Sequence, residues 1–225
     1  MKHVVRLSIA ALLSAILSIN LLAFMQARAM TRFTGNGDRT ARPEQLSVVD
    51  KFSALLSGVS IPRPINRRAP ADLQLTFETH RIRSADGVTL DAWFLPGERE
   101  RSVVALFHGY AASKSSLLST AQALHDLGYA ALLVDFYGSG GSSGSGTTIG
   151  FKEADDVAAT VEYVRQTWPG RKIILYGVSM GGAAVLRAVA VHGVAADGLI
   201  IEAGFDRLLN TGKNRFRAMG LPASP

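Results

Sequence analysis

Four short runs in which every residue is hydrophobic constrain the fold of this chain more than any other feature. The runs are Val103–Phe107, Ala130–Val134, Ile173–Tyr176 and Leu199–Ile201. A strand with one face in water alternates polar and apolar residues, whereas a continuously apolar strand is covered on both faces. The runs therefore predict a sheet whose central strands lie between two layers of other structure.

Helical patterns separate these runs. A stripe at Leu117, Leu118, Ala121 and Leu124 ends before Gly128, and a stripe over 151–164 ends before Pro169. A third helix is expected over about 179–191. Strand and helix in alternation imply right-handed crossovers. The predicted fold class is therefore α/β, a mostly parallel sheet with helices on both faces.

A hairpin precedes the first apolar run. Two segments suited to strands, Phe77–Ser84 and Thr89–Leu95, flank the pair Asp86-Gly87. Asp-Gly between two such segments is a strong hairpin signal.

The N-terminus has the layout of a targeting segment. Lys2 and Arg6 precede an apolar run over 7–25, and Ala27-x-Ala29 fits a signal peptidase site. The run is close to the ~20 residues that span a bilayer, so a retained signal anchor and a cleaved signal both stay open. The arginines after the span favour a cytoplasmic main domain, whereas the Ala-x-Ala site favours export. We expect a membrane-anchored or exported protein, with the side undetermined.

The charge is concentrated outside the main domain. The formal net charge is +6, yet residues 1–72 hold ten Lys and Arg against four Asp and Glu, and the remainder holds fourteen of each. A nucleic-acid-binding domain would concentrate basic residues on its folded part, so no nucleic-acid partner is expected. The chain has no cysteine, which excludes disulfides and a Cys nucleophile.

Three regions follow from these patterns. Residues 1–30 form the signal anchor or signal peptide, 31–72 a proline-containing linker with a short helical pattern over 46–56, and 73–225 the α/β domain. The oligomeric state is left open.

The sharpest chemical signal is Gly177-Val178-Ser179-Met180-Gly181, which lies directly after a predicted strand and before a predicted helix. This is the G-x-S-x-G nucleophile elbow in the strand-turn-helix context that it requires. Ser179 is therefore the candidate nucleophile. A glycine-rich turn with an incidental serine is the competing interpretation.

A second motif agrees with the elbow. His108-Gly109-Tyr110 follows the run Val103–Phe107, where a loop can supply part of an oxyanion hole. The backbone N–H groups of Tyr110 and Met180 are the predicted oxyanion donors.

These motifs, together with the segment from Asp135 to Ser142 (DFYGSGGS), resemble those of α/β-hydrolases of the serine aminopeptidase S33 and BEM46-like group. The resemblance implies an α/β-hydrolase fold and hydrolysis of an ester, thioester or amide through an acyl-enzyme. It implies a small-molecule, peptide or lipid acyl substrate without identifying it. A base in this fold follows the serine in the chain, so His108 is interpreted as a loop histidine bonded to backbone.

No cofactor or metal is expected. The glycines over 138–146 lie between strand and helix but lack the Gly-Lys-Ser/Thr of a P-loop and the dinucleotide spacing. Glu153, Asp155 and Asp156 open the next helix, where carboxylates favour the positive end of its dipole.

The sequence patterns do not identify the acid and the histidine of a Ser-His-Asp triad. After Ser179 the sequence holds a single histidine, His192, which should lie about 20 Å away along the same helix. Glu202 and Asp206 are possible acids. The resemblance implies two further strands with the acid and histidine, so we expect the C-terminal strands to be missing and the 225-residue chain to be nearly inactive, with an exposed edge. A membrane-tethered, non-catalytic domain is the alternative function.

Overall fold

The computed structural model of the protein describes residues 2–35, 37–41 and 45–218. The chain divides into two compact units, Met1–Arg63 and Pro64–Pro225. The boundary falls nine residues before the predicted one at residue 73, and the division into linker and domain stays a prediction. The end of the chain, 219–225, lies outside the described residues.

The first unit contains two helices, α1 (Lys2–Thr31) and α2 (Val48–Ser57). In the described part of the chain, α1 is the one helix that is long and apolar enough to cross a membrane. Ser47 caps the start of α2, since its hydroxyl accepts a hydrogen bond from the Asp50 backbone N–H at 3.1 Å. The short helix predicted over 46–56 is therefore present.

The second unit alternates strands and helices in the predicted order. Its elements are β1 (Glu78–Arg83), β2 (Thr89–Leu95), β3 (Arg99–Phe107), α3 (Leu118–Asp126), β4 (Tyr129–Val134), α4 (Glu153–Thr167), β5 (Lys172–Val178), α5 (Met180–His192), β6 (Gly198–Glu202) and α6 (Leu208–Ala218). All six strands coincide with segments that the hydrophobic pattern predicts. Helix α6 was not predicted, because most of its residues are polar.

The six strands form one sheet in the order β1-β2-β4-β3-β5-β6. The β1–β2 hairpin is antiparallel and β2 joins β4 antiparallel, whereas β4, β3, β5 and β6 run parallel to one another. The hairpin turns at Ala85–Gly87, where Asp86 has a φ of 53°. Parallel strands end at the same edge of a sheet, so the loops after β3, β4, β5 and β6 meet there.

Helices cover both faces of the sheet, as predicted. One face carries α4 and α5 on side chains such as Ala105 and Phe107, and the other carries α3 on side chains such as Val104 and Leu106. These alternate residues of β3 are fully buried, because successive side chains of a strand point to opposite faces. Each fully buried Leu or Phe contributes roughly 1.5 to 3 kcal/mol, so the two layers fix β3 and β5 firmly beneath the loops that they carry.

Candidate active site

Ser179 occupies the sharp turn between β5 and α5. Its backbone has a φ of 51° and a ψ of −110°, values that a non-glycine residue adopts only under strain. The surrounding structure holds this conformation, since the Ser179 N–H donates to the Glu202 carbonyl at 2.8 Å and the Ser179 carbonyl accepts from Ala183 N–H at 3.0 Å. The side chain is half-buried, and no residue in the described part of the chain hydrogen-bonds its hydroxyl.

Two glycines make the turn sterically possible. A Cβ atom at Gly177 would lie 2.6 Å from the Gly181 carbonyl oxygen, and one at Gly181 would lie 2.3 Å from the Phe107 carbonyl oxygen. Both distances are far inside van der Waals contact with backbone, which cannot move aside. The elbow therefore requires glycine at these two positions, as the motif predicts.

The loop after β3 lies beside the serine. A Cβ atom at Gly109 would lie 3.8 Å from the Ser179 Cβ, which places this backbone in contact with the elbow. Tyr110 follows and packs on the core, and Ala111 turns the chain with a φ of 52°. Met180 is the first residue of α5, so its N–H lies at the positive end of that helix. Both predicted oxyanion donors belong to segments that adjoin Ser179, and their role stays a prediction.

His108 is bonded to backbone, as expected. It is fully buried, its Nδ1 lies 2.8 Å from the Gly109 carbonyl oxygen, and its Nε2 accepts a hydrogen bond from the Phe136 N–H at 3.2 Å. Loss of hydration lowers the pKa of His108, although Asp135 opposes the shift. A neutral imidazole that donates through Nδ1 satisfies both contacts. His108 therefore ties the loop after β3 to the loop after β4.

The residues considered for the acid and base roles are engaged elsewhere. His192 ends α5, and its Nε2 lies 3.0 Å from the Asp155 carboxylate on α4. The Glu202 carboxylate accepts a hydrogen bond from the Tyr176 hydroxyl, while burial and this bond raise the pKa of Tyr176. Asp206 accepts a hydrogen bond from the Arg207 N–H at 2.7 Å, next to the start of α6. The structure thus brings none of these side chains to the Ser179 hydroxyl.

The buried carboxylate of Glu153, at the start of α4 as predicted, supports the elbow from the loop after β4. Glu153 accepts hydrogen bonds from the Thr148 and Gly150 N–H groups at 2.8 Å each and from the Thr147 hydroxyl at 2.5 Å. The Thr147 hydroxyl also lies 3.4 Å from the Met180 sulfur. Glu153 therefore fixes the loop over 147–150 against the first residue of α5. The described residues contain no cluster of ligands that could hold a metal ion.

A second network that sequence reasoning missed lies beneath the glycine-rich loop. The fully buried Lys114 ammonium contacts Asp91 and lies 2.6 Å from the Asp135 carboxylate. Burial alone would raise the pKa of Asp135, but the Lys114 ammonium and backbone N–H hold it below its ordinary value. Asp135 also accepts from the Asn66 side chain at 2.8 Å and the Gly141 N–H at 2.9 Å. One carboxylate thus joins three loops at the edge that carries Ser179.

The sheet order, the elbow after β5 and the backbone loop after β3 define an α/β-hydrolase. The family model of serine aminopeptidase, S33, matches residues 98–211, just over half of the chain, so the chain belongs to that family.

Known proteins agree with this assignment. The chain is 27% identical over 146 residues to protein bem46 of Schizosaccharomyces pombe, an alignment that covers 62% of this chain and 48% of that protein. It is 31% identical over 135 residues to an uncharacterized protein of Mycobacterium tuberculosis, covering 58% of this chain and 47% of the other. The chain therefore spans about half the length of the curated relatives that it matches. An esterase of Pyrococcus furiosus has a similar structure, with a TM-score of 0.63 and 27% identity over 72% of this chain and 63% of the esterase chain.

Proposed function

We propose that this protein is a serine hydrolase that cleaves an ester, thioester or amide through an acyl-enzyme at Ser179. One observation carries the proposal: the serine has the strained elbow backbone, a hydroxyl with no partner in the described residues, and a helix N-terminus directly after it. Strain at a functional position persists only where the structure over-determines it, as the Glu202 and Ala183 backbone bonds do here.

The chemistry follows from the arrangement. The Ser179 oxygen attacks the substrate carbonyl carbon and its proton passes to a base, while the carbonyl oxygen becomes an oxyanion. The N–H groups of Tyr110 and Met180 are proposed to stabilise that oxyanion, each at about 3 to 4 kcal/mol in comparable sites. The leaving alcohol, thiol or amine departs with a proton, and water then hydrolyses the acyl-serine by the same route. The described residues supply the nucleophile and the oxyanion loops, and no described imidazole is bonded to Ser179.

An ester is the substrate that the comparisons favour. The structurally similar protein of Pyrococcus furiosus is an esterase, and its identity to this chain is 27%. The helix α1, which is long and apolar enough to cross a membrane, supports a location at a membrane or beyond it, as an anchor or an export signal. We therefore propose a membrane-associated or exported hydrolase that acts on a small acyl substrate.

A fluorophosphonate probe tests the nucleophile. We expect a form of the protein that also carries the acid and histidine of the triad to be labelled, and its Ser179→Ala variant to lose all labelling above background, because the probe phosphonylates an activated serine. Ser145→Ala is the matched control, since Ser145 is an exposed serine of the glycine-rich loop, and it should label like wild type. Equal labelling of the Ser179→Ala variant would assign the reaction to another residue.

The non-catalytic alternative rests on the lack of a histidine bonded to Ser179 among the described residues. For the 225-residue chain we expect ester turnover close to background, because removal of triad members leaves only ~10³ to 10⁴-fold over water. Ordinary enzymatic rates from this chain would contradict that expectation and make His108 the first histidine to substitute. Failure of every form of the protein to react with the probe would favour the tethered, non-catalytic domain.

A further inference from the structure

Helix α2 carries an apolar face that no described residue covers. Val48, Val49, Phe52 and Leu56 are between 55% and 78% exposed. At 100° per residue their side chains fall within about 100° of one another around the helix axis, a stripe typical of an amphipathic helix. A ten-residue helix is marginal in water on its own, so this face needs an apolar surface to lie against.

The opposite side of α2 is attached to α1. The Gln26 side chain donates to the Ala54 carbonyl at 2.8 Å, and a Cβ atom at Gly58 would lie only 2.6 Å from the Ala29 Cβ. On α1 the half-buried positions Leu22, Gln26 and Ala29 share one side, as their helical spacing requires. Helix α2 therefore faces α1 through Ala54 and turns its apolar stripe away from it.

The place of attachment indicates what covers the stripe. The apolar run over 7–25 is about 28 Å long as a helix, close to the ~30 Å hydrocarbon core of a bilayer. If that run spans the core, Gln26 and Ala29 emerge at the boundary with the headgroups, and α2 is attached there. Leu21 and Phe24 on this end of α1 are also mostly exposed, so both helices present uncovered apolar side chains near the contact between them.

The polar residues near the contact between α1 and α2 are also suited to the boundary between the hydrocarbon core and the headgroups. Arg28 in the last turn of α1 is exposed and can reach phosphate groups, whereas Asp50 and Ser47 form a cap on a side of α2 away from the stripe. A helix with Phe, Leu and Val on one face and polar residues on the other lies in the interface plane with its apolar face about 5 to 10 Å into the lipid.

We propose that α2 is an interfacial helix whose stripe of Val48, Val49, Phe52 and Leu56 lies in the lipid surface beside α1. The inference rests on the proposed membrane location of α1 and deepens it. The anchor then consists of the spanning helix α1 and the interfacial helix α2, and α1 is retained, because cleavage after Ala29 would remove the side of α1 to which α2 is attached.

The chain has no cysteine, which allows single-cysteine labelling without any background substitution. Full-length variants Phe52→Cys and Leu56→Cys report the stripe, and the matched variants Lys51→Cys and Ser57→Cys report other sides of the same helix. Ile16→Cys reports the span of α1. Each carries an environment-sensitive fluorophore in vesicles of phosphatidylcholine and phosphatidylglycerol, with nitroxide-bearing lipids as quenchers.

We expect several-fold stronger quenching and a blue-shifted emission at positions 52 and 56 than at 51 and 57, and strong quenching at position 16. Quenching at 16 with equal, weak quenching on all sides of α2 would overturn the interfacial helix and leave the span intact. Protection of position 52 from water-soluble quencher without quenching by nitroxide lipids would show that protein covers the stripe, which also overturns the proposal. No quenching at position 16 would refute the span and the interfacial helix together, while the probe reaction at Ser179 is unaffected by any of these results.

Discussion

The two edge strands of the described sheet, β1 and β6, expose different kinds of side chain. Strand β1 presents mostly polar residues to solvent and is joined to its neighbours by polar contacts. The Arg81 guanidinium lies 3.2 Å from the Asp91 carboxylate and donates to the Gly141 carbonyl at 3.0 Å. Strand β6 instead exposes Leu199 and Ile200, at 42% and 44%, on opposite faces.

The difference separates two kinds of strand. An edge strand that faces water carries charges, which discourage pairing with another chain, and β1 has this composition. Strand β6 has the composition of an interior strand, apolar on both faces, although it lies at the edge of the described sheet. The stability of the β1 side therefore depends on polar networks, whereas the β6 side contributes exposed apolar surface. Three substitutions test this contrast.

The largest effect is expected from Lys114→Met on the β1 side. The variant leaves the Asp91 and Asp135 carboxylates buried without their common cation, and breaking a buried pair in this way costs about 3 to 5 kcal/mol. Urea unfolding followed by circular dichroism measures the loss. Arg81→Ala is the control, since Arg81 contacts the same Asp91 from a mostly exposed position and should cost under ~1 kcal/mol. Similar losses of unfolding free energy in the two variants would show that burial of the Lys114 ammonium does not determine the size of the effect.

The next effect depends on pH and concerns Asp156, which joins the end of the β1–β2 hairpin to the loop after β4. It accepts hydrogen bonds from the Ser84 hydroxyl at 2.7 Å and the Tyr137 N–H at 3.1 Å. Burial raises the pKa of Asp156 from 3.8 to about 6, so the folded state holds the proton more tightly than the unfolded chain. The resulting stabilisation is complete below pH 4 and is lost as the pH rises through 6.

Relative to Asp156→Asn, which has no proton to lose, wild type should therefore lose about 2 to 3 kcal/mol of unfolding free energy between pH 4 and pH 7. Unfolding curves at several pH values measure the difference. Ser84→Ala keeps the carboxylate and should keep or steepen the pH dependence. A constant difference between wild type and Asp156→Asn would show that the carboxylate stays ionised in the folded protein.

The smallest effect on stability, and the one specific to β6, is expected from Ile200→Lys. A charge on this exposed position should change the unfolding free energy by no more than about 0.5 kcal/mol. It should nevertheless lower self-association of the chain in detergent, measured by sedimentation velocity, because a charged edge resists pairing. Thr79→Lys on β1 should leave association unchanged. An unaltered sedimentation profile of Ile200→Lys would show that β6 does not recruit other chains.

Sequence patterns predicted the strands and the elbow because both depend on local chemistry. Continuous apolar runs identify β3, β4 and β5, and the spacing of Gly177, Ser179 and Gly181 defines a turn that few other residues permit. The family match over 98–211 and the observed sheet confirm the fold class. The roles of Tyr110 and Met180 as donors stay predictions.

The buried polar networks could not be predicted in the same way. Lys114, Asp91 and Asp135 are separated by at least twenty residues, and a lysine is usually exposed, so its complete burial depends on tertiary partners. The same holds for Glu202, whose contact with Tyr176 exists only because β5 and β6 are adjacent. Local periodicity contains no information about such partners.

The strand order also determines when the elbow becomes rigid during synthesis. Strand β5 pairs with β3, which has already left the ribosome. Strand β6 then pairs with the free side of β5. From β5 onward the sheet is therefore extended at one edge only. The Ser179 N–H has its partner on the Glu202 carbonyl, twenty-three residues later in the chain. The nascent polypeptide therefore passes through an interval in which β5 and α5 can be formed while the serine turn lacks its cross-strand bond. During co-translational folding, β6 is therefore the element that supplies the cross-strand hydrogen bond of the Ser179 turn.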